Sequence, residues 1–168
     1  MSTVAASSHK IVPCLWCNFN AEEAVAFYLD VFQDARVLST SRYPETMPGV
    51  GGKALLIEFE LAGSKLQALN AGPNHPFTDA ISLSVDCEDQ AEVDSLWSKL
   101  TADGGSPGPC GWLKDRFGVS WQIVPRGMGA LIGDPDPGRA SRAMQAMMGM
   151  SKIDIATVAR AADEAPAA

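Results

Sequence analysis

The sequence predicts an α+β fold built from two successive β-α-β-β-β modules and closed by C-terminal helices. Three observations predict it. Alternating apolar and polar runs bracket one amphipathic helix near residue 25, and the same order returns near residue 90. Gly72, Pro73 and Pro76 punctuate the chain between the two copies. Beyond Pro125 the strand pattern ends and apolar residues recur at helical spacing. The copies share a pattern rather than an identity. The expected organisation is one domain over 10–160, with modules at about 10–72 and 78–125 and a helical segment at 138–163.

Residues 1–9 read as a loose tail. KIVPCLWC, residues 10–17, is compact and apolar, like a buried strand, and Pro13 within it calls for an edge or a bulge. Asn20 is a helix N-cap candidate with Glu23 as its capping-box partner. Ala24, Phe27, Tyr28 and Phe32 then fall at helical spacing, so 21–32 is a helix. Strands follow at 36–42, 53–60 and 64–70. Two prolines and three glycines make a long loop of Pro44–Gly52, and Ala62-Gly63 is a tight turn.

In the second copy Ile81, Leu83 and Val85 alternate with Ser82, Ser84 and Asp86, a half-buried strand over 79–86. Asp89 or Glu88 opens a helix to Leu100 with Val93, Leu96, Trp97 and Leu100 as its stripe. Asp103–Gly111 reads as loop around a short strand at most, and strands follow at 112–114 and 119–124. Pro135 and Pro137 break the glycine-rich stretch 126–138. Residues 139–149, with Met144, Met147 and Met148, and 151–163 are helical. Both are expected to pack on the sheets or on a partner chain.

Acidic residues outnumber basic ones, 20 against 13, for a net charge of −7. That argues against a nucleic-acid partner, which needs a basic face. No run of 18 apolar residues is present to span a membrane, and the first ten residues lack a signal-peptide pattern. The four cysteines are therefore expected as reduced thiols in the cytoplasm.

Cys14-Leu-Trp-Cys17 has redox spacing, but a redox pair works at a helix N-terminus and this one lies in a strand. Structural thiols are the expectation. Cys110, between Pro109 and Gly111, is a structural thiol or a loop nucleophile facing a pocket, and the latter needs a base nearby. Trp112 and Trp121 are core aromatics or pocket walls. Lys114, Asp115 and Arg116 read as a solvated turn. Gln67 and Gln122 occupy matching points of the two copies, each in an apolar strand. Each faces solvent or contributes an amide to a cavity, and their correspondence favours the cavity. Asn70 caps a strand end or meets the pocket rim. His75 is expected at the surface. No phosphate-binding glycine loop, H-E-x-x-H or G-x-S-x-G is present.

Five segments carry a resemblance: AVAFY from Ala24, KLQALNAGP from Lys65, ISLSVDCEDQAEVDSLW from Ile81, CGWLKDRFGVSWQIVP from Cys110 and MSKIDI from Met150. Together they resemble the PhnB-like branch of the vicinal-oxygen-chelate superfamily, relatives of glyoxalase and bleomycin-resistance proteins. The resemblance spans roughly 10–160. It implies paired modules whose curved sheets enclose a pocket, and a homodimer. Much of the branch bears the name 3-demethylubiquinone-9 3-methyltransferase. This sequence has neither a glycine-rich strand-to-helix turn nor a following ribose-binding acid for an S-adenosylmethionine donor.

Superfamily enzymes usually hold a divalent metal through the first and last strands of each module. The resemblance puts those positions at or near Pro13 and Ala80, and at Gln67 and Gln122. A shift of a residue or two brings in Cys14 and Asp79. Proline and alanine have no side-chain donor, and glutamine is a weak neutral one. The expectation is a small-molecule-binding protein with a degraded metal site and no cofactor, its pocket candidates being Trp16, Gln67, Cys110, Trp121 and Gln122. An enzyme of the lyase, isomerase or dioxygenase type, metal-dependent or metal-free, is the alternative. A methyltransferase is the third reading.

Overall fold

A computed structural model describes residues 10–164. The expected tail and His9 lie outside the described residues. The described residues divide into two compact units, with the boundary between Pro76 and Phe77. In the first, β1 (Cys14–Cys17), α1 (Ala21–Val31), β2 (Ala35–Arg42), β3 (Ala54–Leu61) and β4 (Ser64–Asn70) follow in order. They form a sheet of order β1-β4-β3-β2, with β1 parallel to β4 and the other pairs antiparallel.

The second unit repeats this with β5 (Leu83–Cys87), α2 (Gln90–Leu100), β6 (Ser106–Pro107), β7 (Trp112–Lys114) and β8 (Ser120–Pro125). Its sheet runs β5-β8-β7-β6, with β5 parallel to β8. Three helices follow: α3 (Met128–Ile132), α4 (Pro137–Met148) and α5 (Ile155–Asp163). This is the α+β architecture expected, with the internal repeat visible as identical strand order. Among the described residues no helix is long and apolar enough to cross a membrane.

One face of each sheet is covered. In the first unit Leu15, Cys17, Ile57, Phe59, Leu66 and Ala68 alternate into a core that includes Ala24, Val25 and Tyr28 of α1. Tyr28 and Phe59 are both fully buried, with ring centroids 6.2 Å apart and planes 10° from parallel. Such a pair adds roughly 1 kcal/mol to the area it removes from water. The other face keeps Cys14, Trp16, Glu58, Lys65, Gln67 and Leu69 exposed or half-buried. The Ala62-Gly63 turn has positive φ at both residues, 46° and 78°, as a two-residue hairpin requires.

Several local expectations change. Pro13 precedes β1 rather than interrupting it, and its carbonyl accepts the Gln67 N–H at 2.9 Å. The Asn20 side chain makes no cap hydrogen bond. Asn70 takes that role from 49 residues away, since Ala21 N donates to its Oδ1 at 3.0 Å. The same side chain donates to Ala54 O, and Asn70 is fully buried. It therefore joins β3, β4 and α1 rather than meeting a pocket rim. In α2 the cap is Asp89, which accepts from Glu92 N. β5 begins only at Leu83, and Asp79 ahead of it pairs with Lys114 and Ser120. Helix α3 was not expected; it forms within the glycine-rich stretch and buries Met128. Met128, Ala143, Ile153, Val158 and Ala162 make a separate core for the C-terminal helices.

Candidate functional site

The two glutamines occupy equivalent register positions. Gln67 of β4 lies between Cys14 of β1 and Glu58 of β3. Gln122 of β8 lies between Ser84 of β5 and Trp112 of β7. Side chains directly paired across strands share a face, so each glutamine stands on the open face of its own sheet.

In the first unit that face is a polar network centred on Glu58. Its carboxylate accepts from Gln67 Nε2 at 3.0 Å and from Ser39 Oγ at 2.9 Å, and pairs with Lys65 Nζ at 2.8 Å. The Lys65 ammonium, then the Gln67 amide and the Ser39 hydroxyl, hold the Glu58 carboxyl at a pKa of about 2. A group with so low a pKa stays charged near neutral pH and is poorly matched to general acid–base work there. Trp16 shares this face. Its indole N–H donates to Gly72 O at 2.8 Å, and its ring meets His75 edge-on at 4.5 Å. Glu58, Ser39 and Lys65 were not singled out from sequence. The signal was available: a two-residue turn at Ala62-Gly63 pairs Leu61 with Ser64 and, by counting, Glu58 with Gln67.

In the second unit the open face borders a cavity of about 460 Å³ lined by Asp79, Ser106, Pro107, Trp112, Lys114 and Ser120 among others. Trp112 and Lys114 pair across the ladder with Gln122 and Ser120, so all four share the face. Lys114 Nζ lies 2.7 Å from Asp79 Oδ1, which also accepts from Ser120 Oγ at 3.3 Å. The lysine bond is the main cause that lowers the Asp79 pKa. Gln122 donates its amide N–H to Ser82 Oγ at 2.8 Å.

The other candidates divide. Trp121 lies on the opposite face from Gln122 and is 2% exposed, so it is a core residue. Its indole donates to the buried Asp115 at 2.9 Å. Asp115 is thus no solvated turn residue. Cys110 is half-buried in the loop that follows the cavity-lining Pro109, with φ of +56°. Trp16 and Gln67 share the open face of the first unit, and Gln122 stands on that of the second.

The metal positions implied by the resemblance do not fit a divalent ion. Ala80 lies in a turn before β5, and the first-strand residues paired with the glutamines are Cys14 and Ser84; Glu58, on the other side of Gln67, is bound by Lys65 and Ser39. Each glutamine would have only its neutral amide oxygen to give, a weak donor for a divalent ion, since its N–H is engaged with Glu58 or Ser82. Among the described residues no three His, Cys, Asp or Glu side chains stand together as a metal site would need. An S-adenosylmethionine cradle of the doubly wound kind fits no better. The β1–α1 connection, Asn18-Phe19-Asn20, and the β5–α2 connection, Glu88-Asp89, contain no glycine.

The family model described as 3-demethylubiquinone-9 3-methyltransferase matches residues 9–124. A PhnB protein from Bacillus cereus, described under the same methyltransferase name, is 35% identical, with a TM-score of 0.62; the match covers 70% of this chain and 99% of that one. A protein from Pseudomonas aeruginosa is 24% identical with a TM-score of 0.60, over 70% of this chain and 98% of that one. The genomically encoded fosfomycin resistance protein of Listeria monocytogenes shares the fold alone, at 15% identity and a TM-score of 0.53, over 70% of this chain and 91% of that one. No curated protein matches the chain. With the family model covering more than half its length, the chain belongs to the 3-demethylubiquinone-9 3-methyltransferase family, within the PhnB-like branch of the vicinal-oxygen-chelate superfamily.

Proposed function

We propose that the chain binds a small organic molecule at the open sheet face of its second unit, and that binding rather than metal-assisted turnover is its activity. The observation that carries this reading is the cavity of about 460 Å³, a size suited to a small ligand. Trp112, Pro107 and Pro109 offer flat apolar surface to a ring or short chain. Lys114 and Ser120 are held by Asp79, which lines the same cavity, so a polar end group would share or displace that carboxylate, and Gln122 adds an amide oxygen on the same face. Cys110 follows the wall residue Pro109 and neighbours the cavity. The homodimer rests on the family resemblance.

The test is native mass spectrometry with elemental analysis on untagged protein, followed by a thermal-shift screen of small aromatic acids and amides. The expected outcome is a carried-over or added small molecule whose stabilisation Trp112→Ala abolishes. It should come without stoichiometric metal after incubation with zinc, manganese or iron(II). One tightly held metal per chain would overturn the reading. Sedimentation of the same sample reports the oligomeric state.

A further inference from the structure

We propose that Met150–Ile153, inside the MSKIDI motif and beyond the residues that the family model matches, is a strap that holds the cavity wall in its binding shape, with Ser151 as a positioning residue. The wall is the loop from Pro107 to Trp112. Gly108 and Pro109 line the cavity, and so does Trp112. The loop closes on itself, since Gly108 N donates to Trp112 O at 2.7 Å and Trp112 N to Pro109 O at 3.0 Å.

Cys110 and Gly111, in its middle, have φ of +56° and +83°. The Pro109–Trp112 bond closes these two left-handed residues into a tight turn like Ala62-Gly63, and the left-handed cysteine carries a strain that contacts from outside the loop offset. The strap binds the N–H groups of these two residues. Cys110 N donates to Met150 O at 2.8 Å and Gly111 N to Ser151 O at 2.7 Å. Ser151 Oγ then donates to Gly108 O at 2.6 Å. Ile153 packs where a Cβ on residue 111 would stand, with its Cδ1 only 2.8 Å from that point.

The strap is itself anchored on α2. Lys152 Nζ pairs with Asp94 Oδ1 at 2.5 Å. The Gln90 amide spans the far end, donating to Ile153 O at 3.0 Å and accepting from Ile155 N at 3.1 Å. Ile153 is 1% exposed in the C-terminal core. A chain of contacts therefore runs from α2 through the strap to Gly108 and Trp112. Whatever fills the cavity meets a wall whose shape the C-terminal segment sets, so strap docking and occupancy favour each other. This last step rests on the proposed ligand site; the strap's hold on the loop does not.

The experiment compares wild type, Ser151→Ala and Ser151→Thr by amide hydrogen exchange over residues 106–112, and by titration with 8-anilinonaphthalene-1-sulfonate, a flat apolar anion. Ser151→Ala is expected to speed loop exchange about tenfold, the factor one lost hydrogen bond supplies, with β3 and β4 unchanged. It should also weaken the probe several-fold, and Ser151→Thr, which keeps the hydroxyl, should restore both. Unchanged loop exchange, or exchange that rises equally in β3 and β4, overturns the strap. A loosened loop with unchanged Trp112-dependent probe affinity overturns the coupling. If the wild type shows no probe binding that Trp112→Ala removes, the ligand-site reading fails and the exchange comparison alone decides the strap.

Discussion

Trp121 donates its indole N–H to Asp115 Oδ2 at 2.9 Å, and both residues are 2% exposed. The other carboxylate oxygen accepts from Phe117 N at 2.8 Å and Val119 N at 3.1 Å. One buried carboxylate thus closes the β7–β8 connection and fixes the tryptophan that the strand turns into the core. Asp115→Ala leaves three donors, two of them buried, without an acceptor and is expected to destabilise the fold by about 2–4 kcal/mol. Asp115→Asn presents an amide N–H to one of them and should cost about 1–3 kcal/mol. Urea unfolding followed by tryptophan fluorescence measures both, and a loss below about 0.5 kcal/mol for Asp115→Ala would contradict the assignment.

Glu58 should remain ionised in acid. Its folded pKa of about 2 lies below its ordinary value of 4.5, so its network contributes stability above pH 4.5 and loses it as pH falls toward 2. A carboxyl-carbon NMR titration is expected to find Glu58 still charged at pH 3. Lys65→Ala and Gln67→Ala should each raise the midpoint, the lysine variant more. A wild-type midpoint near 4.5 would refute the network.

The thiols should separate by burial. Cys17 and Cys87 are buried, and burial, with Glu92 and Asp86 nearby, pushes the Cys87 thiol up to about 12. Iodoacetamide at pH 8 should leave both unlabelled in the native protein and label both in urea. Peptide mapping that finds Cys87 alkylated under native conditions would show that this core opens.

Two glycine substitutions separate backbone strain from contact. Gly63 has φ of +78°, and nothing lies within 4 Å of the point where a Cβ would stand, so Gly63→Ala should cost about 1 kcal/mol from conformation alone. At Gly111 φ is +83°, and a Cβ would also meet Ile153 Cδ1 at 2.8 Å and Ile123 O at 2.9 Å. Gly111→Ala should cost about 2 kcal/mol or more. Equal losses in thermal unfolding would mean that Ile153 and the Ile123 carbonyl both yield freely.

Much of the fold was legible because its signals are local. Helical spacing of Ala24, Phe27 and Tyr28 marked α1, and the alternation in KALLIEFE marked β3. The two-residue turn at Ala62-Gly63 set the β3–β4 register, from which the Glu58–Gln67 pair could have been counted. Asp89 was named with Glu88 as the opening of α2, and Asp89 is its cap. Matching the two copies placed Gln67 and Gln122 at equivalent points, and the register bears out that equivalence.

Other features depend on partners distant in the chain. Asn20 and Asn70 are equally good capping residues by type; α1 takes Asn70 because β4 ends beside the helix start. KDR reads as a solvated turn in any window, yet Asp115 is buried by three donors that only the closed β7–β8 turn brings together. Trp121 and Trp112 are alike in sequence, and strand alternation sends one to the core and the other to the cavity wall. The sequence alone determined the order of elements and the residues able to carry chemistry, since propensity, periodicity and turn geometry act within a few residues. Which polar groups meet was decided by the tertiary structure, because a buried donor or acceptor is satisfied by whatever the packed elements place within about 3 Å of it.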